Sequence, residues 1–538
     1  MSGAEFGDKS YLVIDDFADM RSVLRSILRS LGATRVDQAS DGAEAVSRLE
    51  RKHYDVILCD YNLGNGKNGQ QVLEEARYRQ LFGVDCIFIM ITAENTREMV
   101  MSAVEYVPDS YLTKPLTKEL LKTRLTKLFE RKADLAAVNK AMMAKDQARA
   151  IAELDTLIAA RPKHLPELVK LKAEICLNSN RYDEALAIYE QALAVRDLPW
   201  AYLGTGKALY RQKKYEQAQT VFKHLLELDR NLIAAYDWLA KTQVALKEFE
   251  EAEQTLASAV RLSPRGVSRQ QQLGELALNN GHGETAETAF QQAVGLSRHS
   301  ILNHPALFAG LAKSKSANQK HDEALQVTRD LSKTFGETPE AVLYRATATA
   351  TIKRNQGDLA AATAALAAAE QALRELGPSA PPRLGLEMVT AHARLGNQEQ
   401  ADALLRTVIA NNHDDEEFLN EVLQSCRESG MGENAGTAIH DVRQEVVKTN
   451  NAGVRLIQKG QFDDAIRLLC KAADEMPGNK TISLNAAKAG IMKMEKMGPN
   501  VEGVRMVRHY VERVQSMAPD DWRLADVAAR LQQIAIKL

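Results

Sequence analysis

Five polar residues in the first 115 positions stand where short apolar runs stop. Asp15 and Asp16 follow YLVI, Asp60 follows VILC, Thr92 follows IFIMI, and Lys114 follows SYLT. If the runs are strands of one open α/β sheet, their C-terminal ends converge on a single site. Close carboxylates repel one another unless a divalent cation neutralises them, and an all-oxygen donor set suits Mg²⁺. A hydroxyl and a lysine beside such a cation would stabilise charge on the equatorial oxygens of a transferring phosphoryl group. The chemistry expected is phosphoryl transfer to an aspartate. The acyl phosphate so made is hydrolysable, which makes the site a reversible switch.

The elements that must position these residues are legible. The β-like runs are Tyr11–Asp16, Thr34–Ala39, Tyr54–Asp60, Cys86–Thr92 and Ser110–Thr113. Amphipathic stretches near 18–31, 42–52, 69–81 and 96–106 lie between them, and a fifth begins near Thr117. Such alternation predicts a parallel sheet with helices on both faces. VILCD and IFIMIT are apolar almost throughout, as strands buried on both faces are.

With these residues in place, the segment resembles the receiver domain of bacterial two-component response regulators, over roughly residues 1–130. The resemblance implies a flavodoxin-like (CheY-like) fold with strand order 2-1-3-4-5. It also implies that Asp60 is phosphorylated, and that Asp15, Asp16, Asp60 and the backbone carbonyl of Asn62 hold Mg²⁺. Thr92 and Lys114 would contact the phosphoryl group, Tyr111 would be the switch aromatic, and Pro115 would follow a cis bond. Asn62 and Glu94, two residues past Asp60 and Thr92, occupy positions whose side chains overhang the phosphoryl group and tune its lifetime. Their amide-and-carboxylate pairing is similar to the single-domain chemotaxis regulators. One departure follows Asp60. The family usually reads D-x-x-M-P with a glycine at +8, whereas DYNLGNGKNG carries Leu63, Gly64 and a glycine, Gly69, at +9. The longer, glycine-rich loop is expected to be more mobile, with the ligands unaffected.

From about Arg131 the apolar period becomes helical, and self-similarity is the informative signal. RYDEALAIYEQAL, KYEQAQTVFKHLL, EFEEAEQTLASAV, HGETAETAFQQAV and QFDDAIRLLCKAA share an alanine, an aromatic or leucine four later, and a small or apolar residue three beyond. Ala185, Ala218, Ala252 and Ala286 are spaced by 33, 34 and 34. This resembles the tetratricopeptide repeat (TPR), a helix–turn–helix of 34 residues. It predicts an all-α, TPR-like α-solenoid over 131–538 of about nine or ten helix pairs. Ala401 and Ala465 anchor later units, and the Ala-rich stretch 341–376 is hard to register. No Gly or Pro lies between Pro115 and Pro162, so the fifth receiver helix is expected to run into the first repeat helix with little linker.

Composition narrows the function. A net charge of −2 provides no general attraction to nucleic acid or anionic membrane. Five scattered cysteines without C-x-x-C argue for a reducing compartment. No run approaches the roughly 20 apolar residues of a membrane helix, and no leader pattern opens the chain, so a cytoplasmic location is expected. Gly204-Thr205-Gly206-Lys207 lacks the full phosphate-loop pattern, His299 and His304 lack a completing ligand set, and the basic run Lys118–Lys132 reads as a wet helix face. The reading is a response regulator phosphorylated on Asp60 by a sensor histidine kinase or phosphotransfer protein. Its output is a protein partner on the TPR array rather than DNA, with homodimerisation through the receiver face allowed. It is a phosphoacceptor that catalyses its own phosphoryl transfer and hydrolysis, not an enzyme acting on other substrates. The alternative is a TPR-based phosphatase, or a phosphate sink, acting on other members of a phosphorelay.

Overall fold

The computed structural model describes residues 4–93, 108–144, 146–160, 164–519 and 521–536. Two compact units, Met1–Leu307 and Phe308–Leu538, make up the chain.

The first unit opens with five parallel strands: β1 (Ser10–Ile14), β2 (Arg35–Ala39), β3 (Val56–Asp60), β4 (Ile87–Thr92) and β5 (Ser110–Thr113). Their order is β2-β1-β3-β4-β5, as expected from the sequence. Helices α1 (Ala18–Ser30), α2 (Gly42–Arg51), α3 (Gly69–Tyr78) and α4 (Lys118–Asp134) cover the sheet. The expected helix at 96–106 lies outside the described residues. Strand side chains alternate between faces with period two. Tyr11, Val13, Val56, Leu58, Ile87 and Ile89 pack with Leu24 and Leu28 of α1 and with Leu121 and Leu125 of α4. Leu12, Ile14, Ile57, Cys59 and Phe88 pack with Ala45 and Leu49 of α2 and Val72 and Leu73 of α3. Both faces are covered, which is why the central strands are uniformly apolar.

Local chemistry sets the helix starts. The Asp41 carboxylate accepts from the Ala43 and Glu44 amides and caps α2. Asn68 and Gln71 form a reciprocal capping box at the start of α3. Thr117 caps α4 through the Leu120 amide. One residue, Leu135, separates α4 from the next helix, Ala136–Met143, so the junction has the short linker the sequence predicts.

Antiparallel helix pairs follow: Leu165–Asn178 with Tyr182–Leu193, Pro199–Arg211 with Tyr215–Leu228, Ile233–Ala245 with Phe249–Leu262, and Val267–Asn279 with Gly283–Ser297. The anchoring alanines Ala185, Ala218, Ala252 and Ala286 are fully buried. The residues four later, Tyr189, Phe222, Leu256 and Phe290, are buried with them. Gly204 lies against the Tyr189 ring and Gly206 against the Phe222 ring, where any Cβ would overlap the ring. The run that imitates a phosphate loop is therefore a helix interior whose glycines admit aromatic rings. In the second unit the same pattern continues, with Ala324, Ala362, Ala401, Ala435 and Ala465 fully buried. The 27-residue helix Gly432–Gln458 packs against both Glu416–Glu428 and Phe462–Glu475. No helix among the described residues is long and apolar enough to cross a membrane.

Candidate functional site

Strand register brings the chemically interesting residues level. Ile14 pairs with Cys59, Asp60 with Ile91, and Thr92 with Thr113, so the residues ending β1, β3, β4 and β5 emerge along one edge. Backbone bonds continue the alignment past the strands: Tyr61 N–H donates to Ile91 O (2.8 Å) and Lys114 N–H to Thr92 O (2.8 Å). The Lys114–Pro115 peptide is cis.

Asp15 is wholly buried and Asp60 is 5% exposed. Lys114 Nζ donates to Asp15 Oδ2 at 2.9 Å and to Asp60 Oδ2 at 3.0 Å. Asp15 Oδ1 accepts from the Phe17 amide (2.9 Å), and Arg21 Nη1 donates to the Asp15 (2.7 Å) and Asp16 (3.1 Å) carbonyls, which pins the acidic turn. One carboxylate oxygen from each of Asp15, Asp16 and Asp60 lies within 4.8 Å of the others. Burial holds the Asp60 carboxyl above the ordinary carboxylate value, and Lys114 opposes that shift without cancelling it. Burial disfavours the Lys114 ammonium, but its bonds to Asp15 and Asp60 outweigh this and raise its pKa. Burial, then the charges of Asp60 and Asp15, push the Cys59 thiol far above its usual value, so it is no nucleophile.

The loop after Asp60 closes tightly. Gly69 N–H donates to Tyr61 O at 2.8 Å. A Cβ on Gly69 would overlap the Asp60 carbonyl oxygen, which explains why a glycine stands there. Gly64 takes φ +70° beside Asp16, and Leu63 is buried. Thr92 ends β4, Tyr111 is half-buried on β5, and the Asn62 side chain is exposed. Glu94 lies outside the described residues.

The family model described as the response regulator receiver domain matches residues 11–126. A chemotaxis protein CheY of Pseudomonas aeruginosa is 32% identical over 120 residues, 22% of this chain and 95% of that protein. The chain belongs to the response regulator receiver family. CheY-3 of Vibrio cholerae is 34% identical over 120 residues, 22% of this response regulator and 91% of its relative. Tetratricopeptide-repeat models match 135–199, 177–237 and 209–276. Among solved structures, CheY4 of Vibrio cholerae is 24% identical and covers 22% of this chain and 98% of its own, with a TM-score of 0.21. A tetratricopeptide repeat protein of Parabacteroides merdae is 16% identical and covers 45% and 92%, with a TM-score of 0.30.

The donor set of this receiver fits a hard divalent cation. Three carboxylates face one ammonium, which leaves the pocket negative. Asp16 Oδ1 is buried and has no hydrogen-bond partner among the described residues. A buried charged oxygen without a partner is costly, and a cation is the group that would satisfy it.

Proposed function

We propose that Asp60 accepts a phosphoryl group from a sensor histidine kinase or a phosphotransfer protein, and that residues 1–130 act as the switch for a protein-binding array over 131–538. The supporting observation is Asp60 held between Lys114 and an acidic pair with an unsatisfied buried oxygen. Asp60 is the nucleophile: an oxygen of its carboxylate forms the new P–O bond as the donor's P–N bond breaks. Lys114 already bridges Asp15 and Asp60, so its ammonium is placed to pair with the added charge. The Thr92 hydroxyl donates to a phosphoryl oxygen, and Tyr111 on β5 changes setting in response. Mg²⁺ held by Asp15, Asp16, Asp60 and the Asn62 carbonyl would neutralise charge on the transferring group. Asn62 and Glu94 set the lifetime of the acyl phosphate, whose hydrolysis restores the carboxylate and releases inorganic phosphate. The output is protein binding in the cytoplasm, without DNA recognition.

The test is intact mass after incubation with acetyl phosphate and Mg²⁺. One phosphoryl adduct is expected, absent in Asp60→Asn, and an unchanged yield in that variant refutes the assignment. Adding a second phosphorylated receiver and following phosphate release separates this reading from a phosphatase acting on other regulators.

A further inference from the structure

The segment that follows Asp60 is bonded to the repeat helices within the first unit. Tyr61 Oη accepts from Arg265 Nη1 at 3.3 Å. Gln71 Nε2 donates to the Leu296 carbonyl at 3.2 Å. Ser300 Oγ donates to Glu74 Oε2 at 2.8 Å. The partners stand more than 200 residues apart in the chain. On the repeat side they occupy the same place in consecutive units. Arg265 lies in the turn between Phe249–Leu262 and Val267–Asn279, and Leu296 and Ser300 lie at the turn between Gly283–Ser297 and Pro305–Ala317.

We infer that Tyr61, Gln71 and Glu74 form an intramolecular latch on these two repeat turns, closed when Asp60 is unmodified and released when Asp60 carries a phosphoryl group. The inference rests on the phosphoacceptor reading of Asp60.

Three observations carry it. The latch has a built seat. Leu296 lies in the last turn of its helix, where carbonyls lack an intrahelical donor, and the Gln71 amide supplies one. The same amide accepts from the Asn68 N–H (3.0 Å) in the α3 capping box, so both of its ends are engaged. The latch is also rigidly joined to the phosphorylation site. Tyr61 is the neighbour of Asp60, its N–H is tied to Ile91 O, its carbonyl is tied to Gly69 N–H, and Gly69 abuts the Asp60 carbonyl without room for a methyl group. Finally, two of the three bonds are already long. At 3.3 and 3.2 Å, a displacement of about 0.5 Å takes both past useful hydrogen-bonding distance. The 61–69 loop leaves from the residue next to Asp60 and returns to the Asp60 carbonyl at Gly69, so a shift of that loop on phosphorylation carries Tyr61 and Gln71 with it. The two turns are then freed together, and the released surface is the row of turns that joins successive helix pairs.

Hydrogen exchange of the full-length protein tests this. The segments to read are 61–79 and 262–304, with and without beryllofluoride and Mg²⁺. Arg265→Ala and Ser300→Ala are expected to raise exchange in both segments by about tenfold in the unmodified protein. Beryllofluoride is expected to produce the same rise in the wild type and no further rise in the double variant. Glu74→Leu and Tyr61→Phe, which remove the acceptor oxygens at nearly the same size, serve as second variants, with thermal melting as the check on folding. Wild-type protection in the variants overturns the latch, and unchanged or increased protection with beryllofluoride overturns its release. Intact mass after acetyl phosphate is read in parallel. Absent phosphorylation refutes the reading of Asp60 while the variants still test the closed latch. Normal phosphorylation with unchanged exchange refutes the latch alone.

Discussion

Gly69→Ala is the most incisive single substitution for the geometry of the receiver site. An ideal Cβ at Gly69 stands 3.0 Å from both the Asp60 carbonyl carbon and Cys59 Sγ, and closer still to the Asp60 oxygen. The obstruction is mostly backbone, so no rotamer change relieves it. Either α3 withdraws or the end of β3 is displaced, by about 1 Å in either case, and the Gly69 N–H to Tyr61 O bond is lost. Overpacking of this kind destabilises by about 1–3 kcal/mol. A misplacement of about 1 Å at a reacting group can cost on the order of 10²-fold in rate. The initial rate of Asp60 phosphorylation by acetyl phosphate, followed by intact mass, is therefore expected to fall about 10²-fold, with a lowered melting temperature. Gly83→Ala is the control, since a Cβ there meets nothing within 4 Å and its φ lies outside the left-handed region. If Gly69→Ala phosphorylates within about twofold of wild type and melts at the same temperature, the loop does not hold Asp60 as argued.

Other consequences are sharper at the level of single groups. Lys114→Ala leaves Asp15 and Asp60 without their shared ammonium, and the phosphorylation rate should fall by about 10²-fold; a normal time course counts against a role for Lys114. Phe222→Ala empties a fully buried ring site against Gly206 and should cost about 3–5 kcal/mol in chemical denaturation. Asn479→Ala removes the cap on Ile482 N–H together with donors to Ala410 O and His413, and should destabilise by about 1–2 kcal/mol. Burial holds the His413 imidazole below its ordinary 6.5. Its contribution is thus present above pH 6.5 and lost as pH falls from 6.5 through the depressed folded value. Wild-type melting should weaken on acidification through that window more than His413→Gln, and parallel pH profiles would contradict this.

Much of the receiver was legible because its chemistry sits at strand ends. Apolar runs stop at Asp15, Asp60 and Thr92 and the short SYLT run stops at Lys114, and the register places those stops along one edge. The repeats were legible where a buried alanine contrasts with polar neighbours, as at Ala218 and Ala252. They were not legible in LAAATAALAAAEQAL, where alanine covers every face and the fully buried Ala362 and Ala369 do not stand out from the rest. Gly432–Gln458 hid its register differently, since one helix runs past Gln398–Asn411, Glu416–Glu428, Phe462–Glu475 and Lys480–Met497 without a turn to mark the change. A further signal was missed at the inter-helix turns. Asn180, Lys213, Lys247 and Gly281 recur at the repeat spacing with φ of +59°, +62°, +65° and +83°. Lysine is an unusual left-handed residue, so composition does not announce that turn. Position within the repeat does, because the residue after it is the N-cap of the second helix of each pair.

The contacts between receiver and repeats within the first unit were the least legible feature, and the reason is physical. Sequence periodicity reports which face of an element is buried, and the continuity of α4 into the repeats suggested a route through the chain connection. The contacts at Tyr61, Gln71 and Glu74 are polar and lie more than 200 residues from their partners, and they carry no period. They also reach the repeats well beyond the first pair. The two routes make different demands on the array. A tilt entering at Ala136–Met143 must pass through each successive interface before it reaches residues 265–300, and a quasi-one-dimensional stack dissipates it along the way. The Tyr61 contact reaches one of those turns directly, from the residue next to Asp60. A switch can move an equilibrium only by the difference in contact energy between its two states. The contacts that change most with the Asp60 loop are those made by the loop itself, which favours the direct route.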